Sequence, residues 1–343
     1  MLCRPLVRHA LALALVCAVA APAAAQRFAF VSTRVPDDAA AIHDRPPQSE
    51  VFFYRDGSEL RLTATPHASE FDPAPSPGGR YVAFVAHDHT DEDAGWSGWG
   101  WYLGVVETLT GREVARWDLP RSVGMTRPAG GFQTAWSSGD TVLVQVPSAS
   151  GGWEVHAYDL ATGGSRHVTS GFGIVLAPGG RRLATSREDG VHVVDVASGE
   201  DVSAYPGAAA PLAWWREELL VWTESGLLVV DPATRAARPV ETSPGLVTEA
   251  RADPTGEAVA YVRLDTGGQR SEVVAIGPDG VASTVWSEPG WVSGLDWLGP
   301  GLLVFAVEEL TGDLSLQVTD LLGHGFGVAS AGVDHSPRAV PRR

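Results

Sequence analysis

One stretch of this chain concentrates side chains able to do chemistry: His87-Asp88-His89-Thr90-Asp91-Glu92-Asp93, followed at once by Trp96-Ser97-Gly98-Trp99-Gly100-Trp101. Histidines two residues apart fall on one side of an extended strand, the spacing at which two imidazoles grip one cation with a carboxylate as third ligand. His87, His89, Asp91 and Asp93 are therefore the candidate metal ligands, with zinc or another transition ion as occupant. A calcium loop fits less well, because the ordered oxygen ladder and closing glutamate of an EF-hand are missing around Asp91, Asp93 and Gly95. The simpler reading is a solvated acidic loop, so no cofactor is expected and a divalent metal is the alternative.

The three indoles have their own logic. A tryptophan buries roughly 150–250 Å². At about 25 cal/mol per Å², exposing one forfeits on the order of 4–6 kcal/mol as an upper bound. Packing onto a scaffold is the first expectation for Trp96, Trp99 and Trp101, and stacking on a sugar or peptide ligand the second. Trp101 is expected to begin a strand. Together with His43 and Asp44 these three form the candidate ligand- or partner-binding set. The other histidines, His67, His156, His167, His192, His324 and His335, are scattered singly with no pair at ligand spacing. The chain has no Gly-x-Ser-x-Gly elbow, no His-Glu-x-x-His helix and no phosphate-binding glycine loop, so no catalytic residue is assigned.

The elements that must position these residues repeat. Short apolar strands running into an acidic or polar step and a glycine turn begin near Val51, Leu103, Val155, Val191, Leu227, Val273 and Leu316. Val155-His156-Ala157-Tyr158-Asp159-Leu160-Ala161-Thr162-Gly163 and Val191-His192-Val193-Val194-Asp195-Val196-Ala197-Ser198-Gly199 are the clearest copies. Spacings of about 36 to 52 residues are those of a four-stranded β-propeller blade. A second element precedes them: a Pro-Gly-Gly turn and a buried strand, best seen in Phe71 to Val85 and again at Ala177 to Ala184 and Asp253 to Tyr261. The fold class is all-β, a seven-bladed propeller, with six blades and a ragged terminal pair as the alternative. Residues Ser336 to Val340 are expected to pair with Phe28 to Ser32 and close the ring. Trp136, Trp214, Trp215 and Trp297 fall at the ends of innermost strands, where an aromatic wedges neighbouring blades together.

Arg4 and Arg8 precede an apolar run from Ala10 to Ala20, and Ala23-Ala24-Ala25 before Gln26 offers small residues to a signal peptidase. Residues 1–25 read as a secretory signal peptide and 26–343 as one propeller domain, exported to the periplasm or beyond. Cys3 and Cys17, the only cysteines, lie inside the leader, leaving no thiol for a disulfide or nucleophile. Net charge is −16, and loss of Arg4 and Arg8 makes it −18, a field that repels nucleic acid and anionic lipid. Neither is expected as a partner. No later stretch reads as a membrane span, and a monomer is expected.

Phe71-Asp72-Pro73-Ala74-Pro75-Ser76-Pro77-Gly78-Gly79-Arg80-Tyr81-Val82-Ala83-Phe84-Val85 resembles the Ser-Pro-Asp-Gly repeat of TolB-like β-propellers. Phe30 to Arg34 with Glu50 to Tyr54 is similar to the strand pair that accompanies it, while Gly78 stands where that family has aspartate. Strand material begins too early for the α/β domain that precedes the propeller of TolB. The resemblance implies a non-catalytic scaffold that binds a periplasmic or cell-envelope protein, or a peptide or sugar ligand. The alternative is a propeller enzyme, a hydrolase or lyase acting on sugar or peptide, with dispersed residues on one face. Either way the face is legible. Antiparallel meanders put the second-to-third-strand loops and the crossovers between blades at one end. The long segments Ser32 to Gln48, His87 to Gly100 and Asp118 to Gly131 share that end on neighbouring blades.

Overall fold

The computed structural model describes residues 27–32, 49–55, 57–65, 68–88, 100–120, 132–137, 140–241, 245–265, 270–308, 314–323, 325–328 and 334–339. They form seven four-stranded antiparallel sheets, the blades of a β-propeller. Blade 1 supplies β1 (Arg27–Ser32), β2 (Glu50–Arg55) and β3 (Ser58–Arg61). Blade 2 is β4 (Ala68–Pro75), β5 (Tyr81–Asp88), β6 (Gly100–Glu107) and β7 (Glu113–Asp118). Blade 3 is β8 (Thr134–Trp136), β9 (Thr141–Pro147), β10 (Trp153–Asp159) and β11 (Ser165–Ser170). Blade 4 is β12 (Phe172–Leu176), β13 (Arg182–Arg187), β14 (Gly190–Asp195) and β15 (Asp201–Pro206). Blade 5 is β16 (Ala209–Trp215), β17 (Glu218–Thr223), β18 (Gly226–Val230) and β19 (Ala237–Glu241). Blade 6 is β20 (Leu246–Ala252), β21 (Val259–Leu264), β22 (Ser271–Ile276) and β23 (Ala282–Trp286). Blade 7 is β24 (Trp291–Gly299), β25 (Leu302–Glu308), β26 (Leu314–Asp320) and β27 (Gly325–Val328). The fourth strand of blade 1 is β28 (Asp334–Ala339), from the far end of the chain.

The recurring acidic step has a local cause. Asp159 Oδ1 accepts hydrogen bonds from the Thr162 amide and hydroxyl at 2.7 and 2.9 Å. Asp195 does the same for Ser198, and Asp231 for Thr234. Each carboxylate caps the turn between the third and fourth strands of its blade, and its pKa is lowered mainly by those bonds. The residue after the cap adopts positive φ, which Gly163 and Gly199 do without strain while Arg235 takes the same place at 62°. The Pro-Gly-Gly turns close the opposite hairpins: Gly79 N bonds Ser76 O at 2.7 Å, and Gly180 N bonds Ala177 O at 2.8 Å.

The core lies between the blades. Strand alternation gives every central strand two apolar faces, one for each neighbour, and the buried side chains group into clusters at the blade joints. Three tryptophans of innermost strands do more than wedge. The indole N–H of Trp136 donates to Ala74 O at 2.7 Å, Trp214 to Val175 O at 2.9 Å and Trp297 to Arg251 O at 2.9 Å. Each bond runs from a blade to the innermost strand of the preceding one. Trp215 instead reaches Glu257 O of blade 6 at 3.3 Å.

Closure occurs as expected from the sequence. Strand β28 pairs antiparallel with β1 in the register Phe28↔Ala339, Ala29↔Arg338, Val31↔His335 and Ser32↔Asp334. Phe28, Phe30 and Phe52 then pack against Leu298, Val304, Ala306, Leu316 and Val318 of blade 7. Deleting residues 334–343 removes these four register pairs. At about 1 kcal/mol net per hydrogen bond the loss of the ladder is on the order of a few kcal/mol, and the bared edge of β1 invites association. We expect a lower Tm by calorimetry and concentration-dependent oligomers by gel filtration; an unchanged Tm would show that closure contributes little.

Candidate functional site

Strand ends place the site. Ser32 and Glu50, Asp88 and Gly100, and Asp118 and Phe132 flank the three long segments, and all open on the same face around blades 1 and 2. Blade 2 presents two unlike walls there, because side chains alternate along β4, β5 and β6.

The wall toward blade 3 is aromatic. His87, at 2% exposure, pairs across the sheet with Trp101 and stacks on it at 4.2 Å between ring centroids and 15° between planes. Trp101 also packs on Phe132 at 4.5 Å and Phe71 at 6.0 Å. As expected, Trp101 stands at the start of a strand, the second residue of β6.

The wall toward blade 1 is an apolar cluster that carries buried carboxyls toward its loop end. Glu70 is fully buried on β4, and its carboxylate accepts a hydrogen bond from the Thr65 hydroxyl. Its backbone is clasped by Ser49, whose hydroxyl donates to Glu70 O at 2.7 Å. Glu50, at 3% exposure, pairs with Arg61, whose Nε donates to Thr63 O at 2.9 Å. Tyr102 lies beneath the Arg116 guanidinium, 3.5 Å from the ring centroid, and Arg116 reaches the Asp88 carboxylate at 3.3 Å. Among the described residues, Glu50 Oε2, Glu70 Oε2 and the Tyr102 hydroxyl have no hydrogen-bond partner.

Burial dominates the electrostatics. It pushes the Glu70 carboxyl up to about 8; the Thr65 hydrogen bond opposes the rise and the charge of Glu50 adds to it. Glu50 is raised by burial as well, against the pull of Arg61. The Tyr102 phenol is raised by burial first and by the charge of Glu70 second. Glu70 is therefore a neutral acid at pH 7, able to donate a hydrogen bond where an ordinary glutamate only accepts.

Of the candidate residues, His87 and Trp101 come together in the aromatic wall. His43, Asp44, His89, Asp91, Asp93, Trp96 and Trp99 lie outside the described residues. Reading the sequence missed Glu50, Glu70 and Tyr102, each of which sits unremarkably within an apolar strand. A charged residue at an inward position of an apolar strand, as in Ala68-Ser69-Glu70-Phe71, was the one available signal. One expectation needs correction: His156 and His167 are not isolated but are cross-strand partners.

No protein-family model and no curated protein matches this chain. Solved structures do. TolB from Acinetobacter baumannii aligns at 14% identity with a TM-score of 0.55, covering 93% of this chain and 67% of that one. A prolyl endopeptidase aligns at 16% identity and TM-score 0.63, covering 82% of this chain, which spans only 46% of the enzyme. An oligogalacturonate lyase in complex with manganese aligns at 17% identity and TM-score 0.55, covering 82% and 81%. Identities this low establish a shared propeller fold. Among the described residues no helix is long and apolar enough to cross a membrane.

The raised Glu70 carboxyl makes stability depend on pH. Between 4.5 and about 8 the folded chain keeps a proton that the unfolded chain has released. The contribution of Glu70 is therefore full below pH 4.5 and falls as pH rises through that window, by up to about 1.4 kcal/mol per pH unit. Glu70→Gln, which mimics the neutral acid, should flatten this slope and exceed the parent in stability at pH 8.5. Urea titrations of both proteins at pH 5 and pH 8.5 check this, and parallel pH profiles would refute it.

Proposed function

We propose that this chain is an exported binding scaffold that captures a periplasmic or cell-envelope protein on the face formed by the loop roots of blades 1 and 2. The observation that carries this reading is the pairing of two unlike walls on blade 2 at the base of its three longest connecting segments. A rigid ring supplies the platform, and loops on such a platform commonly bind. The likeness to TolB over 93% of the chain supports the same reading. The His43, Asp44, Trp96, Trp99 and Trp101 set would contact the partner, and His87, His89, Asp91 and Asp93 would shape the segment between them.

The test is capture from an envelope extract by the immobilised protein. Deleting Asp91 to Gly98 should leave Tm nearly unchanged, because a surface segment contributes little to the blade cores, and abolish capture of a stoichiometric partner. Capture undiminished by a folded deletion variant would move the site elsewhere. An enzyme acting on sugar or peptide is the competing reading, favoured by the likeness to the lyase over 81% of that chain. Turnover of an oligosaccharide or peptide by the purified protein would establish it.

Export rests on the arginine-flanked apolar run and the alanines before Gln26. Mass spectrometry of the exported protein should find Gln26 at the N-terminus, free or cyclised. A mature product retaining Cys17 would contradict this.

A further inference from the structure

Outside the cluster on blades 1 and 2, blade 3 gathers a carboxylate and two imidazoles on one face of its outer strands. Glu154 and His156 are two residues apart on β10 and share a face, and His156 pairs directly with His167 across to β11. Glu154 Oε2 lies 3.0 Å from His156 Nε2. The two imidazole rings stand 5.5 Å apart between centroids, at 83° to one another.

These spacings have a metric meaning. Bonds of about 2.0–2.1 Å at a tetrahedral angle place two donor atoms about 3.3 Å apart and the centroids of two ligating imidazoles about 5.2 Å apart. The Glu154–His156 donor separation and the His156–His167 ring separation are each within about 0.3 Å of the corresponding value. The other carboxylate oxygen is already occupied, since the Ser148 hydroxyl donates to Glu154 Oε1 at 2.6 Å. That is the outer-shell bond by which a metal-ligating carboxylate is oriented, and it leaves Oε2 facing the imidazoles. Ser148 first, and His156 second, also hold the Glu154 carboxyl below its ordinary pKa, in the anionic form that a cation requires. His167 is exposed and Glu154 and His156 are partly so, which gives an ion access from solvent.

We propose that Glu154, His156 and His167 bind a divalent transition-metal ion of the zinc type, with the fourth position left to water. As the side chains stand, no group of three such residues among the described ones, this trio included, could hold a metal ion, so the cation has to draw the exposed His167 side chain in. Glu154 Oε2 and His156 Nε2 are held to each other by the carboxylate–imidazole hydrogen bond. The cation replaces that bond with two coordinate bonds and releases any proton shared between the two groups.

The experiment is a calorimetric titration of chelator-treated protein with zinc chloride, alongside metal analysis after gel filtration. We expect one zinc per chain, and a visible absorption of tetrahedral cobalt(II) when cobalt is substituted. His167→Ala changes an exposed side chain and should weaken binding at least tenfold without lowering Tm in the absence of metal. His156→Ala and Glu154→Gln should do likewise for binding. A His87→Ala, His89→Ala double variant should keep full affinity, which separates this site from the acidic segment of blade 2. Zinc retention that survives His156→Ala and His167→Ala, its loss in the His87, His89 double variant, or no retained zinc in the parent protein would each overturn the proposal.

Discussion

The pairing of β28 with β1 is the constraint on which the rest of this ring depends. A blade has two apolar faces and no interior of its own, so each is stable only between two neighbours. An open chain of seven would leave one face of blade 1 and one of blade 7 in water. With β28 in place, the phenylalanines of blade 1 close against the β24–β26 sheet, and the last joint becomes like the others. Closure also brings the first and last described strands into one blade, so the order of that blade and the integrity of the ring are one equilibrium.

Within the closed ring the blades are tied at their inner edge, where packing alone would leave polar backbone bare. The indoles of Trp136, Trp214 and Trp297 satisfy carbonyls of the preceding innermost strand. Side-chain oxygens satisfy the amides: Gln133 accepts from Ile174 N at 2.8 Å and Glu249 from Leu295 N at 3.0 Å. Apolar burial is indifferent to small rotations between blades, whereas these directional bonds are not. They give the platform a defined geometry, which a binding face requires.

The candidate face draws its character from strand alternation. One strand, β5, sends His87 toward the aromatic joint with blade 3, while its neighbour Ala86 pairs with Glu70 and joins the apolar cluster between blades 1 and 2. Burying the Glu70 carboxyl costs stability unless it stays protonated. The chain tolerates that cost at one joint of the ring, directly under the roots of its longest segments.

The sequence by itself determined the strands and the turns, because period-two alternation, capping aspartates and positive-φ glycines act over a few residues, but it left six blades open beside seven until β28 was seen to pair with β1. It also determined which face carries the long segments, since loop length and antiparallel order are properties of the chain. The candidate site was legible only in part. His87 and Trp101 stood out through spacing, whereas Glu50, Glu70 and Tyr102 looked like ordinary strand residues until two blades enclosed them. The pairing of His156 with His167 was decided by the register of β10 on β11, which shifts at a bulge between Val155 and His156. Residues 11 apart in sequence meet only once that register is set. Cross-strand register and the burial of a carboxyl between blades are collective outcomes of packing, and no local pattern of residues encodes them.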